Sequence, residues 1–136
     1  MHWLARYLAR ESGGEAPSAA VELSLVQPEL LRLSQRDPRV RVATHDVFEP
    51  WRGTPPSVVK VGNLFNPAYF SAEAIVRAAT LLGQVLQPGG LFVIVENRGD
   101  VERSTILVRK GSRFHLERSV HGGAETGELI LARCAL

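Results

Sequence analysis

Apolar positions along the chain fall into two rhythms, helical stripes and short extended runs, and their alternation lays out the elements. Trp3, Leu4, Tyr7 and Leu8 are spaced for a short amphipathic helix over residues 3–11, which ends before Ser12-Gly13-Gly14. Val21-Glu22-Leu23-Ser24-Leu25-Val26 alternates in part and reads as a strand. Pro28 then suits the first turn of a helix running to about Gln35, and Asp37-Pro38 stops it, because a residue before proline avoids the helical region. Val40 to Thr44 is the next strand, leading into His45-Asp46-Val47-Phe48. Between Glu49 and Ser57, three prolines and a glycine make a surface loop anchored by Trp51.

The centre of the pattern is a β-α-β unit. Val58 to Val61 is a short strand, Gly62 to Pro67 turns the chain, and Ser71 is placed to cap a helix. Ile75, Ala78, Ala79, Leu82, Val85 and Leu86 then form the stripe that this helix buries. Pro88-Gly89-Gly90 ends it and turns into the apolar strand 91–96, whose continuous hydrophobicity predicts a central place and burial on both faces. Such a unit makes its two strands parallel and calls for helices packed on the sheet. Farther on, Thr105–Arg109, Phe114–Arg118 and Glu128–Ala132 read as three short strands, separated by Lys110-Gly111-Ser112 and His121-Gly122-Gly123 and paired antiparallel at the sheet edge. Gly122-Gly123 is most simply a hairpin turn. The predicted order is α-β-α-β-β-α-β-β-β-β, a mixed α/β sheet in one domain spanning residues 1–136.

Composition narrows the function classes. With 45% hydrophobic residues and mean hydropathy of zero, the 136-residue chain is expected to be soluble. No apolar run is long enough for a bilayer, and the amino terminus lacks a signal-peptide layout, so a cytoplasmic location is expected. The pI of 9.1 reflects a net charge of only +2, with arginine interleaved with glutamate and no basic run to track phosphates. Neither nucleic acid nor a membrane is an expected partner. The single cysteine, Cys134, makes no internal disulfide, and four scattered histidines form no metal motif.

Ligands of open parallel sheets bind beyond the carboxyl ends of the strands, which here are Leu25-Val26-Gln27, His45-Asp46-Val47, Gly62-Asn63-Leu64 and Glu96-Asn97. Asp46 offers a carboxylate to an amino or hydroxyl group; its alternative is to cap the turn into the 49–57 loop. Asn63 and Asn66 are placed to contact a ligand, or are simply turn residues. His45 is either a base or an inert surface histidine.

The series Asp46-Val47-Phe48, Val58 to Asn66, Tyr69-Phe70-Ser71 and Leu86-Gln87-Pro88-Gly89-Gly90-Leu91-Phe92-Val93 resembles class I S-adenosylmethionine-dependent methyltransferases. The most specific piece is the helix closed by Leu-x-Pro-Gly-Gly and followed by an apolar strand. The resemblance covers about residues 3–133 and implies a Rossmann-like, mostly parallel sheet with an antiparallel carboxyl-terminal edge. It implies that Asp46 holds the adenine amino group of S-adenosylmethionine, that the Val47 amide meets the adenine ring, and that Asn63 and Leu64 lie beneath the methionine part.

Two departures accompany it. The family's acidic ribose ligand at the end of the second strand is matched by Leu25, with Glu22 too early in the strand. The family's first strand and Gly-x-Gly loop belong ahead of the helix at 3–11, where the chain begins at Met1. The expectation is therefore an amino-terminally truncated methyltransferase domain, with a small-molecule acceptor favoured over a macromolecule and self-association through unpaired strand edges. The rival reading is a non-catalytic partner module whose sheet is completed by another chain or by rearrangement. A nicotinamide-dependent oxidoreductase fits the Pro-Gly-Gly turn and the antiparallel tail less well, and its glycine fingerprint is missing.

Overall fold

The computed structural model describes residues 26–136. The helix expected over residues 3–11 and all but the last residue of the strand expected at Val21–Val26 lie outside the described residues. The chain forms two compact units that meet in sequence between His45 and Asp46.

The described part of the first unit contains α1, Pro28–Arg36. Proline stands at its start, Glu29 in its first turn and Arg36 in its last, so the charges complement the helix dipole. Arg39 donates to the Asp37 carboxylate through its backbone amide and its guanidinium, at distances down to 2.7 Å, which holds that carboxyl below its ordinary value. The strand expected at Val40–Thr44 does not form. These residues carry no regular secondary structure and are largely exposed, and none of the described strands pairs with them. β-branched residues favour a strand only where a neighbour takes their ladder bonds and packs their side chains.

The second unit, from Asp46 onward, carries β1 (Val58–Gly62), α2 (Ala72–Gln84), β2 (Leu91–Arg98), β3 (Val101–Lys110), β4 (Arg113–Val120) and α3 (Gly127–Arg133). Its four strands lie in the order β1-β2-β3-β4. β1 and β2 are parallel, as the β-α-β pattern requires, while β2–β3 and β3–β4 are antiparallel. Among the described residues the sheet is thus mostly antiparallel with one parallel pair, rather than mostly parallel with an antiparallel edge. β2 is an inner strand, as its apolar run predicts, and runs past Glu96 to Arg98 before turning at Gly99-Asp100 into β3.

A second correction concerns Glu128–Ala132, which is helical. Its Leu-Ile-Leu run satisfies either period, but Glu, Leu, Ala and Arg favour a helix. In α3, Ile130 is fully buried while Leu129 and Leu131 pack against the core. Gly122-Gly123, both at positive φ, accordingly turns the chain from β4 towards this helix instead of closing a hairpin.

Ser71 caps α2 by accepting from the Ala74 amide at 3.2 Å, and Ile75, Ala78, Ala79 and Leu82 bury the predicted stripe. They meet one face of the sheet, formed by Val61, Phe92, Ile94, Leu107 and Phe114. Phe92 and Phe114 stack at 5.3 Å between centroids. Gly83, inside α2, lets the helix approach this cluster, since a Cβ there would lie 2.6 Å from the Phe114 ring and 2.5 Å from Leu136.

The other end of α2 is closed from β3. Arg109 Nη1 donates to the carbonyls of Gly83, Gln84 and Leu86, the second at 2.8 Å. Gly83 and Gln84 belong to the last turn of the helix and Leu86 lies just beyond it, and α2 has no basic residue of its own in its last turn. The turn beyond it is bonded on both sides: Gln87 and Leu91 donate to Pro56 and Ser57, and Gly89 donates to Arg109 while Arg109 donates to Gly90. Gly89 sits at φ +78, and a Cβ on Gly90 would lie 2.9 Å from the Gln87 carbonyl oxygen.

Replacing Arg109 with alanine is expected to destabilise the chain by about 1–3 kcal/mol, with lysine recovering part of the loss. Urea denaturation followed by circular dichroism measures both. Gly83→Ala is expected to cost about 1–3 kcal/mol through overpacking, although alanine is the better helix former. A stabilised Gly83→Ala variant in the same assay would contradict the close approach described.

Candidate functional site

The carboxyl ends of the parallel pair β1–β2 form one edge of the second unit. At the end of β1, Asn63 takes φ +52, a left-handed conformation that asparagine tolerates better than most residues. Its backbone amide donates to Val95 at 2.8 Å, and its side-chain Oδ1 accepts from the Asn97 amide at 2.8 Å. The side chain therefore prolongs the ladder by one rung beyond the strand. Asn66 does similar work in the next turn, where Oδ1 accepts from Ala68 at 2.9 Å and its carbonyl accepts from Tyr69 and Phe70.

Asn63 and Asn66 share a small cavity of about 40 Å³ with Glu96, Asn97 and Arg98 over an apolar floor that includes Val61 and Ile94. Glu96 is a buried carboxylate, 7% exposed, at the end of an otherwise apolar strand. Its Oε1 accepts from the Glu125 amide at 2.6 Å, and its Oε2 lies 3.7 Å from the Arg98 guanidinium, which also pairs with the Glu125 carboxylate. Sequence reading marked Glu96-Asn97 only as a strand end. The signal available was a lone acid closing an apolar run, while its partner Glu125 lies too far along the chain for any local pattern to expose.

Asp46 and Val47 stand on another part of the unit. Asp46 is exposed; its Oδ1 accepts from the Phe48 amide at 2.9 Å and its carbonyl accepts from Glu49 at 2.9 Å. This is the turn-capping arrangement that aspartate favours. Because residues 40–44 form no strand, Asp46 heads a turn rather than a strand end. Val47 and Leu64 both line a tight apolar crevice with Phe48, Phe65 and Phe70. Arg77 covers the outer side of Phe48, 5.6 Å from its ring centroid. The four positions singled out from sequence are thus divided: Val47 and Leu64 meet in the apolar crevice, Asn63 lines the polar cavity, and Asp46 faces outward.

The edge holds side-chain acceptors, main-chain groups of the strand ends and one buried acid. The 40 Å³ cavity admits a water or two and is far below the roughly 300–1,000 Å³ of pockets that enclose a small-molecule ligand. The cavity at the carboxyl edge of β1 and β2 therefore does not by itself enclose a ligand of that size. Among the described residues, no group of three His, Cys, Asp or Glu side chains is placed to hold a metal ion. No helix among them is long and apolar enough to cross a membrane.

The double role of Asn63 separates two substitutions. Asn63→Gly is expected to lose only the bond to Asn97, whereas Asn63→Ala also forces an alanine into the left-handed region and is expected to cost about 1–2 kcal/mol more. Thermal or urea denaturation of the pair measures the difference, and equal stabilities would remove the conformational argument. No family model matches the chain, and no curated protein or solved structure matches it.

Proposed function

We propose that the chain is a methyltransferase-like domain of the class I type, with S-adenosylmethionine as its ligand and an unidentified, small-molecule methyl acceptor. The observation that carries the reading is the β1-α2-β2 unit. Its parallel strands, its helix closed by Leu86-Gln87-Pro88-Gly89-Gly90 and its turn Gly62-Asn63-Leu64 at the carboxyl edge agree with the series of residues that resembles that family. In this reading the outward oxygen of Asp46 accepts from the adenine amino group and the Val47 amide meets the ring. Asn63 and Leu64 lie beneath the methionine part. Methyl transfer from a sulfonium to a positioned nucleophile depends mainly on proximity and orientation, so the reading requires no catalytic dyad and none is assigned.

A second reading, a non-catalytic partner module, is favoured by one specific observation. Oδ1 of Asp46 and Oδ1 of Asn63 both satisfy backbone amides of their own chain, and the cavity beside Asn63 is small. Such groups hold loops in place whether or not a ligand arrives.

Calorimetric titration of the 136-residue chain with S-adenosylmethionine separates the readings. Micromolar binding, weakened at least tenfold by Asp46→Ala in a chain of unchanged circular dichroism, is the result expected of the methyltransferase reading. Absence of binding would sink it and leave the partner module.

A further inference from the structure

The outer strand β4 carries an irregularity that decides which of its side chains face α3. Ile106 stands opposite Arg118 while Leu107 stands opposite Leu116, so Glu117 is an extra residue between two rungs. In a regular strand, residues three apart point to opposite faces, and the bulge cancels that alternation. Leu116 and Ser119 consequently line one groove, on the side of the sheet that carries Leu107 and Thr105. The opposite wall comes from α3, through Glu128 and Leu131. A Cβ on Gly127 would lie 2.6 Å from Thr105 Oγ1, and one on Gly123 would lie 2.9 Å from it. These two glycines let the loop and the helix close over Thr105, which is 3% exposed. The groove holds about 330 Å³, within the roughly 300–1,000 Å³ of pockets that take a small molecule.

Its charges are arranged in an unusual way. Glu125 lines the groove but pairs with Arg98. Arg103 and Glu128 line it too, and neither forms an ion pair with the other or with any described residue. One cation and one carboxylate thus face a shared space without closing on each other. Thr105 Oγ1 accepts from the Ala124 amide at 2.9 Å, and its proton goes to no acceptor among the described residues. Arg103, Ser119 and Glu128 are exposed and Leu116 is 53% exposed, so the chain leaves the groove open.

We infer that this groove is a binding site for a free amino acid with an aliphatic side chain. An unpaired cation and an unpaired carboxylate on facing walls select a zwitterion. Arg103 and the hydroxyls of Thr105 and Ser119 donate to its carboxylate, and Glu128 accepts from its ammonium group. Leu116 and Leu131 cover the aliphatic side chain. A phosphorylated ligand is disfavoured, because Glu125 and Glu128 stand beside the one unpaired cation. A nucleobase is disfavoured as well, since no aromatic ring is among the described lining residues. None of those residues lines the cavity at Asn63, so the inference is independent of the methyltransferase reading.

The test is calorimetric titration of the 136-residue chain with L-leucine. A half-open site with exposed charges is expected to give a Kd of about 0.1–1 mM. Leucinamide lacks the carboxylate, 4-methylpentanoate lacks the ammonium group and glycine lacks the side chain; each is expected to bind at least tenfold more weakly. Arg103→Gln and Glu128→Gln, in chains of unchanged circular dichroism, should each weaken leucine binding at least tenfold. Glu117→Gln, on β4 but outside the groove, should leave it unchanged. The analogue series on the unaltered chain stands even if a variant fails to fold. Absence of saturable heat up to about 10 mM leucine, analogues that bind as well as leucine, or indifference to either groove substitution overturns the inference. So does an equal loss in Glu117→Gln, which would assign the effect to general surface charge.

Discussion

The guanidinium of Arg109 holds together parts of the second unit that no local sequence rule connects. Its nitrogen bonds three carbonyls at the end of α2, while its own backbone exchanges bonds with Gly89 and Gly90. One residue of β3 thereby fixes where the helix stops and where the turn begins. The same turn donates to Pro56 and Ser57, just ahead of β1. With both neighbours of β2 tied at this end, its register is set against each of them. In a sheet a slip of one residue would exchange the two faces, so this constraint decides which side chains meet α2 and which face away.

The consequences appear at the far end of the strands. In the observed register Val61 stands opposite Ile94 and Gly62 opposite Val95, which brings Asn63 within reach of Asn97. Glu96 then falls on the covered side of the sheet, where the Glu125 amide meets it just ahead of α3. Side-chain oxygens close the carboxyl edge as glycines and an arginine close the amino edge. The two ends differ in kind: one is packed without space for a Cβ at Gly90, and the other retains a small polar cavity.

The parts legible in the sequence are those whose signals are local. The stripe from Ile75 to Leu82, the Ser71 cap, the Pro-Gly-Gly turn and the alternating runs around Lys110-Gly111-Ser112 each contain their own pattern, and each forms as expected. Where the outcome rests on distant partners, the same reasoning loses its footing. Val40–Thr44 has the β-branched composition of a strand but no described strand beside it. Glu128–Ala132 is an apolar run that either period explains, and the choice of helix follows from burying Ile130 in the core rather than from spacing. The roles of Arg109 and Glu96 were invisible for the same reason, because their partners lie more than twenty residues away. At the candidate site the local reading carried farther. Turn capping by Asp46 and the turn at Asn63 were legible alternatives, and the structure adds the backbone amides that each side chain serves.

The contrast between the two sheet faces follows from side-chain shape as well as from register. The face beneath α2 carries Phe92 and Phe114, stacked rings whose bulk is matched by Gly83, Ala78 and Ala79 on the helix. Rings and glycine interlock, so that face admits one helix in one position. The opposite rows contain Leu91, Val93, Ile106 and Val108, aliphatic side chains of similar height on a pleated surface.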